Sequence, residues 1–354
     1  MSEKKPVSSE MQQKRLTRRR FLQGAAVGGA GIWAASVLPR RAFRNDPHRP
    51  PKLYEYFVDN FWFEEAGLYG ESINRPLQGR HLADIAILGG GFAGMSAAYN
   101  LQRRFPGKRI VLLEGACCGY GASGRNGGFA DAGMPGLGYV YENEGPEAAR
   151  TYYDATLLGL DQIRSFVSDH AVDCDLELNG ALMMATEDRH LEALAGVKKR
   201  FDNMGIEVEL LDKAEARKRV GSERFVGGML DPNHAILNPA KLARGMKRVI
   251  DEMGVVVAER SKVMRVERGA PLRIVTEFAE LRADQAVIAL NGYAPQIGFF
   301  RNRLLPLCNY VAATEPLSDG QLASIGWAGR EALSDRRLQF MYLRLSADNR
   351  IVFG

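Results

Sequence analysis

The spacing of hydrophobic residues changes repeatedly along the chain, and each change marks an element. Asp84 to Leu88 (DIAIL) is a short apolar run of the kind found in a strand buried on both faces. It leads directly into Gly89-Gly90-Gly91-Phe92-Ala93-Gly94, after which Met95, Ala98 and Leu101 recur at helical spacing. A second run, Arg109 to Leu113, ends on Glu114. Pro146 to His170 reads as a long helix, with Leu157, Leu160, Ile163, Phe166 and Val167 as its apolar positions. Short strands are expected at Leu176 to Leu178, Ala181 to Thr186 and Phe225 to Leu230, and a helix over Arg189 to Met204. Asp212 and Glu215 have capping-box spacing, and Asn238-Pro239 makes a good Ncap–N1 pair for a helix faced by Leu242, Met246, Val249, Ile250 and Met253. Val255 to Ala258, Lys262 to Glu267, Arg273 to Phe278 and Gln285 to Leu290 read as strands.

Strand, glycines, helix, strand and acid together form the βαβ dinucleotide fingerprint, with Glu114 lying 20 residues beyond Gly94. In that motif the first glycine permits the tight turn and the second lets the backbone approach a pyrophosphate. The third brings helix and strand close together, and the helix N-terminus faces the phosphates. The acid accepts hydrogen bonds from a ribose.

The next segment narrows the choice of dinucleotide. Five glycines fall within the ten residues Gly119-Tyr120-Gly121-Ala122-Ser123-Gly124-Arg125-Asn126-Gly127-Gly128, so this backbone has to pass close to something. Ser123, Arg125 and Asn126 add donors for phosphate or ring heteroatoms. An NAD dehydrogenase has no need of such a loop. At this point the chain resembles the glycine/D-amino-acid oxidase family of FAD-dependent oxidoreductases, most of all its gamma-glutamylputrescine oxidase-like branch. The likeness runs from about residue 75 to 354. It is carried by GGGFAGMSAA, the LLE ending at Glu114, GASGRNGG at 121–128, NPAKLARGM at 238–246, AVIALNGYAP at 286–295 and YLRLSADNRIVFG at 342–354.

The resemblance implies an α/β fold in which a Rossmann-type FAD-binding domain (81–145 and 235–298) is interleaved with an α+β substrate domain on a mixed or antiparallel sheet (146–234 and 299–354). Gly89, Gly91, Phe92, Ala93 and Gly94 would hold the pyrophosphate and Glu114 the adenosine ribose. Ser123, Gly124, Arg125, Asn126, Gly127 and Gly128 would run toward the isoalloxazine. Val263 would contact adenine through its backbone, a plain core valine being the other reading, and Asn291 and Gly292 would close over the cofactor. Family members continue past the point where this sequence stops. The likeness therefore implies a shortened substrate domain, with an open sheet edge near Arg350 to Gly354.

Outside this region the charge tells against other classes. Residues 1–44 hold ten Lys/Arg against Glu3 and Glu10; that net +8, set against +5 for the whole chain, leaves −3 for the rest. The basicity belongs to a leader, so it makes no case for nucleic acid as a partner. Thr17-Arg18-Arg19-Arg20-Phe21-Leu22-Gln23 fits the twin-arginine export pattern. A mildly apolar, glycine- and alanine-rich stretch follows from Phe21 to Leu38; its glycines make it a poor spanning helix, and it barely reaches the roughly 18 to 20 residues needed. The twin-arginine machinery is thus an expected partner, the periplasm or exterior the expected compartment, and the signal region (1–44) the expected membrane contact, whether cleaved or kept as a tether. Residues 45–80 read as a Pro-rich linker and an aromatic segment that packs on the body. Cys117, Cys118, Cys174 and Cys308 show no metal spacing, and the Cys117-Cys118 pair reads as packing near the cofactor loop, a redox role being the alternative.

No acid–base constellation stands out. His234, in Asp231-Pro232-Asn233-His234, and Arg125 are the catalytic candidates. Each has a plainer reading, His234 as a structural hydrogen-bonder and Arg125 in phosphate or backbone duty. The expected activity is FAD-dependent oxidation of the C–N bond of an amine or amino acid, with oxygen as acceptor. A dehydrogenase feeding a quinone or carrier and an inactive flavin-binding remnant are the alternatives.

Overall fold

Strong apolar runs meeting amphipathic helices call for a sheet covered on both faces, and the computed structural model has one. It describes residues 60–67, 73–133, 136–307, 309–337 and 340–354. The twin-arginine segment, residues 45–59 and Cys308 lie outside the described residues. In chain order the helices are α1 (Phe61–Glu65), α2 (Phe92–Arg104), α3 (Leu137–Glu144), α4 (Pro146–Asp169), α5 (Asp188–Asn203), α6 (Lys213–Arg219), α7 (Pro239–Glu252) and α8 (Asp319–Ile325). The strands begin with β1 (Gly79–Leu88), β2 (Ile110–Leu113), β3 (Phe129–Asp131), β4 (Ala181–Ala185), β5 (Glu209–Leu211), β6 (Gly227–Asp231), β7 (His234–Ile236) and β8 (Val256–Ala258). They continue with β9 (Val263–Glu267), β10 (Leu272–Thr276), β11 (Ala279–Ile288), β12 (Ala312–Ala313), β13 (Ala332–Asp335), β14 (Tyr342–Leu345) and β15 (Ile351–Phe353).

The first sheet has the order β8-β2-β1-β11-β10-β9. Strands β8, β2, β1 and β11 run parallel, and β10 and β9 extend the sheet as an antiparallel meander. On one face Ile85, Ile87, Ile110 and Leu112 pack with Met95 and Ala98 of α2 and with Leu242, Met246 and Ile250 of α7. On the other, Ala86, Leu88, Val111 and Leu113 pack with Ile274, Leu281 and Ala283. Burial on both sides is what turns β1 and β2 into unbroken apolar runs. The second sheet, β12-β15-β14-β13-β4-β6-β5, is mixed: β13 and β4 pair in parallel and the other neighbours antiparallel. A two-stranded ribbon, β3 with β7, completes the strands.

The expected helix starts are present. Asp212 and Glu215 form a reciprocal capping box on α6, and the Asn238 side chain accepts from the N–H groups of Ala240 and Lys241 at the head of α7. Several expectations are corrected. Leu176 to Leu178 is not a strand: only Glu177 bridges to Ile236, while its carboxylate is held by Arg330. Strand β10 stops at Thr276, whose Oγ1 accepts from the Ala279 N–H in a tight turn, and β11 begins there, well before Gln285. Its early half, Ala279-Glu280-Leu281-Arg282-Ala283, buries alternate residues, and its charged positions hid the strand. The edge expected near Arg350 to Gly354 is not open: β15 lies between β14 and β12, and the short β12 is the edge strand. Helix α4 also serves two cores. Ile163, Phe166 and Val167 join the core of the first sheet, whereas Ala149, Tyr153 and Leu157 pack with α3, Met204 and Ile206.

Candidate active site

The site is built where the parallel strands end. Leu88 leads into Gly89 (φ +111°), and α2 starts at Phe92 with Gly91 as its N-cap. Three positions leave no room for a side chain. A Cβ at Gly94 would lie 1.9 Å from the Gly89 carbonyl oxygen, one at Gly89 would lie 2.4 Å from the Ala289 carbonyl oxygen, and one at Gly90 would lie 2.7 Å from Cys118 Sγ. The end of β11 thus presses on the same turn, which places Asn291 (φ +47°) and Gly292 beside it. Ser123 Oγ accepts from the Phe92 N–H at 2.9 Å, the acceptor position an anion takes at a helix N-terminus. Ala93 lies in the same first turn.

Glu114 is already engaged. Its carboxylate accepts from the N–H of Gly90 at 2.7 Å and of Ala116 at 2.8 Å. Burial raises its pKa; those two N–H groups pull it back down, and the nearby Glu259 charge raises it again. Glu259, fully buried, was missed by sequence reasoning. It accepts from the N–H of Cys118 at 2.6 Å and of Asn74 at 2.5 Å and lies 3.5 Å from Arg244 Nη1. It joins the loop entry, α7 and the segment before β1 through one carboxylate. Val263 buries its side chain among Leu88, Leu113, Ala258 and Ile274. Its strand follows the crossing at Glu114, where the N–H of Ser261 donates to the Glu114 carbonyl.

The second glycine loop is folded by its own polar residues. Asn126 Nδ2 donates to the carbonyls of Ala122 and Ser123, and its Oδ1 accepts from the Gly128 N–H. Arg125 Nε donates to the Tyr120 carbonyl at 2.6 Å, with its guanidinium over the rings of Phe63 and Tyr120 at 4.7 and 4.6 Å. Gly124 is buried, and a Cβ there would meet Phe63 at 2.7 Å. Gly127 packs against Tyr342, and Gly128 (φ +76°) against Leu237 and Arg344. Arg125 is therefore a scaffold of the loop.

His234 is likewise structural. Nδ1 lies 2.8 Å from Asp131 Oδ1 and Nε2 lies 3.2 Å from Asp231 Oδ2. Carboxylates only accept, so both ring nitrogens carry protons and the ring is an imidazolium. Burial pulls its pKa down, but the two carboxylates override this and raise it to about 9. Cys117, Cys118 and Cys174 are buried thiols, and burial pushes Cys117 and Cys174 up to about 12. Among the described residues no group of His, Cys, Asp and Glu could hold a metal, and no helix is long and apolar enough to cross a membrane.

The cradle fits a flavin dinucleotide on two grounds: the glycine positions admit no Cβ, and a buried donor beneath the second loop, Arg344 Nη2, has no partner. Comparison with known proteins agrees. The model of the FAD dependent oxidoreductase (DAO) family matches residues 84–354, and the chain belongs to that family. It is similar to a probable oxidoreductase, OrdL, of Haemophilus influenzae, 31% identical over 311 residues, covering 83% of this chain and 71% of that protein. It is also similar to gamma-glutamylputrescine oxidoreductase of Escherichia coli, 30% identical over 278 residues, covering 77% of this chain and 64% of the relative. The matched region thus spans about two thirds of each relative's length. Among solved structures, glycine oxidase from Geobacillus kaustophilus shares the fold, with a TM-score of 0.59 at 20% identity over 77% of this chain and 71% of that one. FAD is the cofactor of this family, and the protein is an FAD-dependent oxidoreductase.

Proposed function

We propose that the protein oxidises the C–N bond of a small amine or amino acid to an imine, which water then hydrolyses, with the electrons passed to oxygen. The observation that carries this reading is the continuous path from the Gly89–Gly94 turn through Glu114 into the Gly121–Gly128 loop, which ends against the second sheet at Tyr342 and Arg344. Bound FAD supplies the two-electron acceptor. The chain's own residues do the rest: the α2 N-terminus and Ser123 address the pyrophosphate, Glu114 the ribose, and the Ser123–Gly128 backbone the reach toward the ring. No acid–base side chain is required of the protein if the substrate nitrogen arrives neutral, which suits a site whose two catalytic candidates are both engaged in structure.

The test is anaerobic mixing of the purified yellow protein with a panel of amines and amino acids, gamma-glutamylputrescine and glycine included, followed by admission of air. Bleaching of the flavin band by an amine, then one hydrogen peroxide per turnover, is expected. A flavin that no amine bleaches overturns the reading; bleaching without peroxide replaces oxygen with another acceptor. Export by the twin-arginine route is part of the proposal, supported by Thr17 to Gln23 and by the need to load FAD before crossing a membrane. Replacing Arg18 and Arg19 by Lys should leave the protein in the cytoplasm, and unchanged fractionation would refute that route.

A further inference from the structure

We propose that α1 and Arg344 form a clamp that sets the shape of the Asn126–Gly128 segment, and that this clamp governs how tightly FAD is held. The inference rests on the reading of residues 89–128 as the flavin cradle. Arg344 is 0% exposed in the middle of β14. Its Nη1 donates to the carbonyls of Gly128 and Leu237, its Nε donates to the Leu345 carbonyl, and its Cζ lies 5.1 Å from the centre of the Trp62 ring. Burying a guanidinium is costly unless its donors are satisfied. Here backbone carbonyls satisfy Nε and Nη1 and an indole face adds to them, while Nη2 is left without a partner beneath the loop.

Trp62 closes the other side. Its Nε1 donates to the Asn126 carbonyl at 3.0 Å, and its neighbour Phe63 fills the space beneath Gly124 and Arg125. The helix itself is fixed from both ends: Asn60 Oδ1 accepts from the Trp62 N–H, and Glu65 accepts from Asn238 at the head of α7. Two loop carbonyls, of Asn126 and Gly128, are thus drawn inward by buried side-chain donors. A trans peptide places its N–H opposite its C=O. The pull on the Asn126 carbonyl therefore turns the Gly127 N–H away from the clamp, and that N–H has no partner among the described residues. The clamp presents a donor on the loop's free side and keeps a cationic group directly beneath it. Its pieces come from residues 62 and 344, on opposite sides of the nucleotide domain in sequence. They act on the loop as positioning residues.

The test measures FAD dissociation from the holoprotein by the fluorescence of released flavin on dilution, alongside its visible circular dichroism. Trp62→Phe keeps an aromatic side chain but removes the indole N–H together with the pyrrole half of the ring; the expected rise in Kd is roughly five- to tenfold, with altered dichroism. Arg344→Lys, which keeps the charge and loses the fork, should raise Kd more. Trp327→Phe is the control: Trp327 is buried in the core of the second sheet and its Nε1 has no partner, so its loss removes no hydrogen bond. Its FAD affinity should stay within twofold of wild type. A Trp62→Phe protein with wild-type Kd, or one no weaker than Trp327→Phe, overturns the clamp while leaving the cradle intact. A wild-type protein that takes up no FAD overturns both.

Discussion

The imidazolium at His234 makes stability depend on pH with a definite sign. The ring bridges Asp131 of β3, where the flavin loop ends, and Asp231 of β6, in the second sheet. Tyr153 of α4 also faces Asp231; burial, together with that charge, holds its phenol above the ordinary value, so it stays neutral throughout the window of interest. The folded pKa is raised from 6.5 to about 9. A group with a raised folded pKa contributes its full stabilisation below the unfolded value and loses it as pH rises through the folded value. The contribution is therefore complete below about pH 6 and gone above about pH 10. At about 1.36 kcal/mol per pH unit it amounts to roughly 3 kcal/mol. For a chain of this size that corresponds to roughly 5 °C or more in melting temperature.

The assay compares melting temperatures of wild type and His234→Gln at pH 6, 8 and 10. Other titrating groups move both proteins together, so the quantity of interest is the gap between them. We expect wild type to be more stable at pH 6, with the gap shrinking by about 5 °C by pH 10 as the imidazolium loses its proton. A gap that is constant from pH 6 to 10 would refute the doubly paired imidazolium. A gap that widens with pH would mean that the ring is neutral when folded and that a carboxylate carries the proton.

Two further outcomes follow from the site. Gly94→Ala forces a Cβ to within 1.9 Å of a backbone oxygen, whereas Gly107→Ala meets nothing within 4 Å; the first should lose its yellow colour on gel filtration and the second keep it, and colour in both would show that the Gly89–Gly94 turn is not tight. Cys117, pushed up to about 12 by burial, holds roughly a thousandfold less thiolate at pH 8 than an ordinary thiol, so mass spectrometry should find Cys117 and Cys118 unalkylated by iodoacetamide until the protein is denatured, and rapid native labelling would contradict their burial.

What could be read in advance was what neighbours in sequence dictate. The fingerprint is a local object: strand, turn and helix are adjacent, and Gly94 answers to a clash at Gly89, one turn back. The helix caps at Asp212 and Asn238 are equally local. The early half of β11 escaped notice because its partner β1 lies some 200 residues away in sequence, and its exposed positions are charged, which favours a loop reading when no neighbour is known. Leu176 to Leu178 failed for the opposite reason. Its composition suits a strand, but the ribbon offers Glu177 only one bridge, and Leu178 remains exposed.

The site divides in the same way. Polar side chains in a glycine loop suggest a ligand, and Ser123, Asn126 and Arg125 read as donors to it on that ground. Asn126 and Arg125 instead spend their hydrogen bonds on the loop's own carbonyls, and they do so because glycines leave those carbonyls without local structure to satisfy them. A loop that must accept a cofactor cannot also rely on the cofactor to fold it. The side chains that shape it are therefore the ones a motif reading assigns to the ligand. The groups that stabilise the loop from beneath are Trp62, Arg344 and Glu259; Trp62 and Glu259 lie in no motif and Arg344 has no role assigned within its own, because a buried polar group is intelligible only from its partners, and those partners converge from residues 74, 118, 126, 128 and 237. An arginine in YLRL or a glutamate in VVAER looks like a surface residue until the fold closes around it. The local motif identifies the cofactor; the long-range closure of buried charge decides how the loop that receives it is held.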